Sequence, residues 1–89
     1  SNTTTQAWTY AYVPGKRYLE KPVFVLTSSA TFSGGEELAY DLQTLKRATL
    51  VGEVTGGGAN PGRPVRVDEH FSVWIPIGRA ISPVTHTNW

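Results

Sequence analysis

The stretch Val23-Phe24-Val25-Leu26-Thr27, followed by Ser28-Ser29-Ala30-Thr31-Phe32-Ser33-Gly34-Gly35-Glu36-Glu37, decides how the chain is read. Its first five residues form an unbroken apolar and β-branched run, introduced by Lys21-Pro22 and closed by serines. A run this short predicts a strand buried on both faces, as in a parallel α/β sheet. The period then changes. Leu38, Leu42 and Leu45 recur at helical spacing with Ala39 beside them, which predicts a stripe facing a core, with Asp41, Gln43 and Lys46 toward water. Glu36 and Glu37 in the first turn and Lys46 and Arg47 at the end suit the helix dipole. Residues 48–52 are a second short apolar run, which completes a β-α-β unit.

On the C-terminal side, Thr55-Gly56-Gly57-Gly58-Ala59-Asn60-Pro61-Gly62 is too rich in glycine and proline for regular structure. Residues 64–67 and 70–76 then alternate as two strands around Asp68-Glu69, with Phe71, Val73 and Ile75 on one side and Ser72 and Trp74 on the other. This predicts a β-hairpin. Residues 77–89 read as an irregular tail. On the N-terminal side, Thr, Trp and Tyr in residues 4–12 favour a strand, ahead of the turn signal Val13-Pro14-Gly15-Lys16. The fold class is therefore α/β, a β-α-β unit followed by a hairpin, in a single partial domain spanning residues 1–89. The chain opens on Ser1, holds no Met and stops on Trp89, which points to a piece of something longer.

Composition bounds the chemistry. Eight basic residues against seven acidic ones leave a net charge of +1, which is not the footprint of a nucleic-acid binder. The longest apolar stretch is far short of a membrane span. Cysteine is absent, which removes thiolate catalysis and disulfides. His70 and His86 are the only imidazoles; His70 beside Asp68 and Glu69 lacks metal-ligand spacing, so neither a metal nor a cofactor is expected.

Ser33 is the leading candidate for chemistry. A serine at a strand-to-helix turn exposes its hydroxyl at the mouth of a sheet, and the unpaired N–H groups of a helix start can hold developing negative charge. Gly34 lets an oxyanion approach the backbone closely. Phe32-Ser33-Gly34-Gly35 follows the logic of a nucleophile elbow without its Gly-x-Ser-x-Gly pattern. The same residues also read as a capping box, Ser33 with Glu36, and both roles stay open here. Gly56, Gly57 and Gly58 lack the ending of a phosphate-binding loop and read instead as a tight loop lining a site, where a substrate would bind. Glu53, between the second strand and this loop, reads as a loop anchor.

The ordered set of Val25-Leu26-Thr27-Ser28-Ser29, Thr31-Phe32-Ser33, Glu36-Glu37, Lys46-Arg47-Ala48-Thr49-Leu50-Val51-Gly52-Glu53 and Thr55-Gly56-Gly57-Gly58 resembles the tail-specific or C-terminal processing proteases. The branch of interphotoreceptor retinoid-binding protein and its bacterial relatives fits best, and Ser1-Asn2-Thr3-Thr4-Thr5, Trp8, Trp74-Ile75-Pro76 and Thr87-Asn88-Trp89 extend the likeness across nearly the whole chain. The resemblance implies the C-terminal portion of a crotonase/Clp-protease-like core, with Ser33 as nucleophile and the Gly34 N–H as half of an oxyanion hole. It implies a peptide or protein substrate, and the missing N-terminal part of the core as a partner. Self-association into a homo-oligomer and a periplasmic or extracellular location are also in keeping with it.

One departure matters. The family's Ser-Lys dyad would place its lysine where this chain has Gly58, which excludes that mechanism here. The related tricorn-type branch takes a histidine from an upstream segment and a supporting glutamate that would fall just beyond Trp89. The isolated chain is accordingly expected to be inactive. A non-catalytic carrier of hydrophobic, retinoid-like ligands on the same fold is the alternative that the resemblance brings with it.

Overall fold

The computed structural model describes Gln6 and residues 8–89. Its elements are β1 (Phe24–Thr27), α1 (Gly34–Thr44), β2 (Thr49–Gly52), β3 (Gly62–Arg66) and β4 (Ser72–Pro76). β1 and β2 pair in parallel, with Phe24 opposite Thr49 and Thr27 opposite Gly52. α1 is the crossover between them and packs on β2. β3 and β4 form an antiparallel pair, with Gly62 opposite Pro76 and Arg66 opposite Ser72. The molecule is thus a small α/β fold, as the short apolar runs on either side of a helical stripe, followed by an alternating hairpin, predict.

The register of the parallel pair positions the site. Because Thr27 and Gly52 are partners, both strands end level, and the loops that leave them start side by side. Glu53 N–H donates to the Thr27 carbonyl at 3.0 Å, and the Thr27 hydroxyl donates to the Glu53 carbonyl at 2.9 Å, which carries the pairing one residue further. In open parallel sheets, this carboxyl end of the strands is where ligands are taken up.

The hairpin link is stabilised locally. The Asp68 carboxylate accepts the N–H groups of His70 at 2.7 Å and Phe71 at 2.8 Å, so a dipeptide with no strong turn preference still closes the strands. β3 begins two residues earlier than the sequence predicts, at Gly62, where the absence of a side chain leaves room for the Trp74 indole.

Four expectations require correction. Residues 8–12 are irregular and form no strand; Thr4, Thr5 and Ala7 of the predicted 4–12 strand lie outside the described residues. β1 is not buried on both faces: Val23, Val25 and Thr27 are half-buried, whereas Phe24 and Leu26 are exposed. α1 covers one face, and no described element covers the other. The helix is also turned from the expected stripe. Its buried residues are Glu36 and Ala39, with Leu42 half-buried, while Leu38 and Leu45 are exposed. A buried carboxylate at the helix start explains the rotation, since its hydrogen bonds fix which face turns inward. Lys46 and Arg47 lie beyond the helix; the Arg47 guanidinium instead donates to the carbonyls of Tyr18 and Lys21.

Much apolar surface stays uncovered. The chain exposes 7932 Å², against about 5100 Å² for a compact monomer of its mass. Among the described residues, no helix is long and apolar enough to cross a membrane.

Candidate active site

Ser33 ends the loop from β1 and caps α1, with φ 51° and ψ −117°. A residue with a Cβ rarely adopts a positive φ, and this ψ lies outside the ordinary left-handed well. The chain turns here more sharply than a relaxed cap requires. Ser33 is exposed, and Gly34 starts the helix with its N–H donating to no acceptor among the described residues. Nothing lies within 4 Å of where a Gly34 Cβ would stand. The following turn is closed: Gly35 N–H bonds Phe32 O at 3.1 Å, and the N–H groups of Glu36 and Glu37 bond Ser33 O at 2.9 and 3.0 Å.

The capping-box reading is realised. Ser33 N–H donates to Glu36 Oε2 at 2.8 Å, and the Ser33 side chain faces the Glu36 N–H to complete the capping box, although that contact falls short of a hydrogen bond. The carboxylate then does what local spacing does not reveal. Gly57 N–H donates to Oε1 at 2.6 Å and Gly58 N–H to Oε2 at 2.7 Å, from a loop more than 20 residues away. Glu36 is only 2% exposed. The Thr55 hydroxyl first, then the Gly57, Gly58 and Ser33 N–H groups, hold its carboxyl down at about 2, against an opposing push from burial.

The glycines follow from this packing. A Cβ on Gly58 would lie 2.4 Å from the Phe32 ring, and one on Gly56 would lie 2.7 Å from it. Gly57 has φ 85°, which favours a residue without a side chain. Gly56 N–H bonds Thr31 O at 2.9 Å. All three glycine N–H groups are therefore turned into the chain. Gly58 also lines a cleft, whereas Gly56 and Gly57 do not.

That cleft, of about 370 Å³, runs beside Ser33 between Glu37, Ala59, Pro61, Arg79 and Trp89. The Tyr40 hydroxyl meets Thr85 Oγ1 at 2.5 Å and its ring tilts against the Trp89 indole, which brings the tail to the helix and closes the far wall. A larger hollow formed by residues 16–21 contains no site residue.

Glu53 takes the anchoring role expected of it. Ser29 N–H donates to its Oε2 at 3.0 Å, and this bond, with the Ser29 hydroxyl, lowers its carboxyl from the ordinary value. Neither imidazole lines the Ser33 cleft. His70 faces Glu69 at 3.3 Å on the exposed hairpin link, and His86 lies in the tail turn, where its N–H bonds Ser82 O. No group of acidic or histidine side chains among the described residues is arranged to hold a metal ion.

Sequence reasoning thus picks out Ser33 and Gly34 and misses the reach of Glu36. Chemically, the arrangement offers an exposed hydroxyl on a strained turn beside a free N–H at a helix start, the pairing that acyl transfer uses. No solved structure matches the chain. The family model described as Peptidase family S41 matches residues 1–87, nearly the full length, in agreement with the likeness to the processing proteases. The chain belongs to peptidase family S41.

Proposed function

We propose that the chain is the nucleophile-bearing part of a serine-type endopeptidase core, related to the crotonase and Clp-protease folds. Ser33 is the nucleophile and the Gly34 N–H one of the donors to the oxyanion. The backbone of Ser33 carries this reading: a φ of 51° at an exposed serine is an expense that a simple helix cap does not require.

In the reaction, Ser33 Oγ bonds to the carbonyl carbon of the scissile peptide while its proton passes to a base. The carbonyl oxygen takes the negative charge and is held by Gly34 N–H. Collapse of the tetrahedral intermediate expels the amine, protonated by the same base, and leaves an acyl-Ser33 ester that water hydrolyses. The cleft lining includes no histidine or lysine. We assign the base and the second oxyanion donor to residues outside these 89. The exposed apolar faces of β1, α1 and β4 support that assignment, since they suit cover by the remainder of a larger core.

A protein or peptide substrate would lie extended along the cleft between Gly58 and Arg79, and the free edges of the two-stranded sheets allow pairing by strand addition. The charged Glu37 and Arg79 in the cleft suit a polar peptide better than a retinoid-like ligand. In the intact protein, Ser33→Ala should abolish peptide hydrolysis with an unchanged circular dichroism spectrum. Full activity in that variant would remove Ser33 from the mechanism, and saturable retinol binding without hydrolysis in the native protein would favour the carrier.

A further inference from the structure

Glu36 is the most buried side chain among the described residues, and it is charged. A carboxylate taken out of water is retained only where hydrogen bonds replace its hydration. Three backbone N–H groups supply them, and they come from two loops: Ser33 from the one after β1, and Gly57 and Gly58 from the one after β2. The second loop is otherwise held to the first by the Ser29–Glu53 and Gly56–Thr31 bonds and by the Phe32 ring, which is largely exposed.

We infer that Glu36 is a positioning residue that latches the 55–58 loop onto the nucleophile turn, holding Ser33 in its strained conformation and fixing the wall of the cleft at Gly58. The inference rests on the reading of Ser33 as nucleophile. Glu36 touches no substrate. It accepts the Ser33 N–H, so that this donor is spent inside the turn and the neighbouring Gly34 N–H is the one left facing outward. The same oxygen, Oε2, accepts Gly58 N–H, so nucleophile and cleft wall are fixed to one atom.

The chemistry of the latch makes the conservative variant informative. A carboxylate presents acceptors on both oxygens; a glutamine of the same shape turns an NH₂ donor toward one set of N–H donors. Glu36→Gln therefore breaks either the Gly57 anchor or the shared Ser33 and Gly58 anchor without changing volume. A misplacement of about 1 Å at a reacting group costs on the order of 100-fold in rate.

The test uses the intact protein with two readouts. Hydrogen exchange of the segment 55–58 should quicken at least about tenfold in Glu36→Gln while residues 38–44 keep their protection, a local opening rather than a global one. For kinetics, kcat is expressed per active site titrated with a fluorophosphonate, and is expected to fall about 100-fold with KM changed less than threefold. Unchanged exchange, or unchanged kcat per titrated site, overturns the inference, the second because a merely structural role lowers only the number of competent sites. Should Glu36→Gln fail to fold, Glu36→Asp keeps the charge but shortens the reach to the Gly57 and Gly58 N–H groups; it should shift both readouts in the same direction, and no shift overturns the latch. Ser33→Ala is run alongside. If it retains hydrolysis, the nucleophile reading fails by itself, and the exchange readout still decides whether the latch exists.

Discussion

Ser33→Gly probes the strain at the turn without touching its packing. At φ 51° and ψ −117°, a residue with a Cβ bears about 1–3 kcal/mol that glycine does not. Against this stands the greater freedom of glycine in the unfolded chain, about 0.4–1 kcal/mol. Loss of an N-cap side chain to glycine adds only a few tenths, about 0.3 kcal/mol, and less where the hydroxyl makes no cap bond, as here. The net expectation is a gain of about 1 kcal/mol over the native protein. With a urea slope of about 1 kcal/mol per molar for a chain of this size, the midpoint should rise by about 1 M. An ordinary N-cap serine behaves in the opposite way, losing a little stability to glycine. The inactive variant would then be the more stable one, as expected where strain is stored for function. Equilibrium urea unfolding followed by circular dichroism measures the shift. A midpoint at or below that of the native protein would refute the strained-turn argument.

Other expectations follow from the same geometry. Gly52→Ala places a Cβ 2.0 Å from the Thr27 carbonyl at φ 130°, and with strain and one lost interstrand bond together it should cost about 3 kcal/mol, read as a lowered urea midpoint. Gly58→Ala should displace the Phe32 ring outward, seen as a change in Phe32 ring resonances, and narrow the cleft so that KM rises. Glu36, held at about 2 against an ordinary 4.5, contributes its stability in full above about pH 4.5 and loses it as pH falls toward 2; Glu36→Gln should flatten that limb of the pH–stability curve. The 89-residue chain alone should show no measurable peptidase turnover, since no histidine or lysine lines its cleft; robust Ser33-dependent cleavage by it would contradict the assignment of the base.

The β-α-β unit and the hairpin were legible because their signals are local. The run through Phe24, Val25 and Leu26 is too short and too branched to be other than a strand, and Phe71, Val73 and Ile75 alternate with Ser72 and Trp74. Which face of α1 turns inward was not legible. The leucine spacing alone favours Leu38, Leu42 and Leu45, but the buried face is set by Glu36, whose partners Gly57 and Gly58 lie a whole strand further along. Local spacing shows the carboxylate as half of a capping box, which it is, and hides the other half of its work. Trp8, Thr9, Tyr10 and Tyr12 have strand propensity, but no strand among the described residues pairs with them, and residues 8–12 stay irregular. Ser33 could be singled out from its place between strand and helix; its positive φ, the feature that separates a nucleophile's turn from a cap, could not.

The most direct test of the central claim is covalent. The intact protein is treated with a fluorophosphonate, digested, and the adduct located by tandem mass spectrometry. The account predicts a single adduct on Ser33, formed in step with the loss of peptide hydrolysis. An adduct on another serine with hydrolysis lost, or hydrolysis surviving complete modification of Ser33, would contradict it.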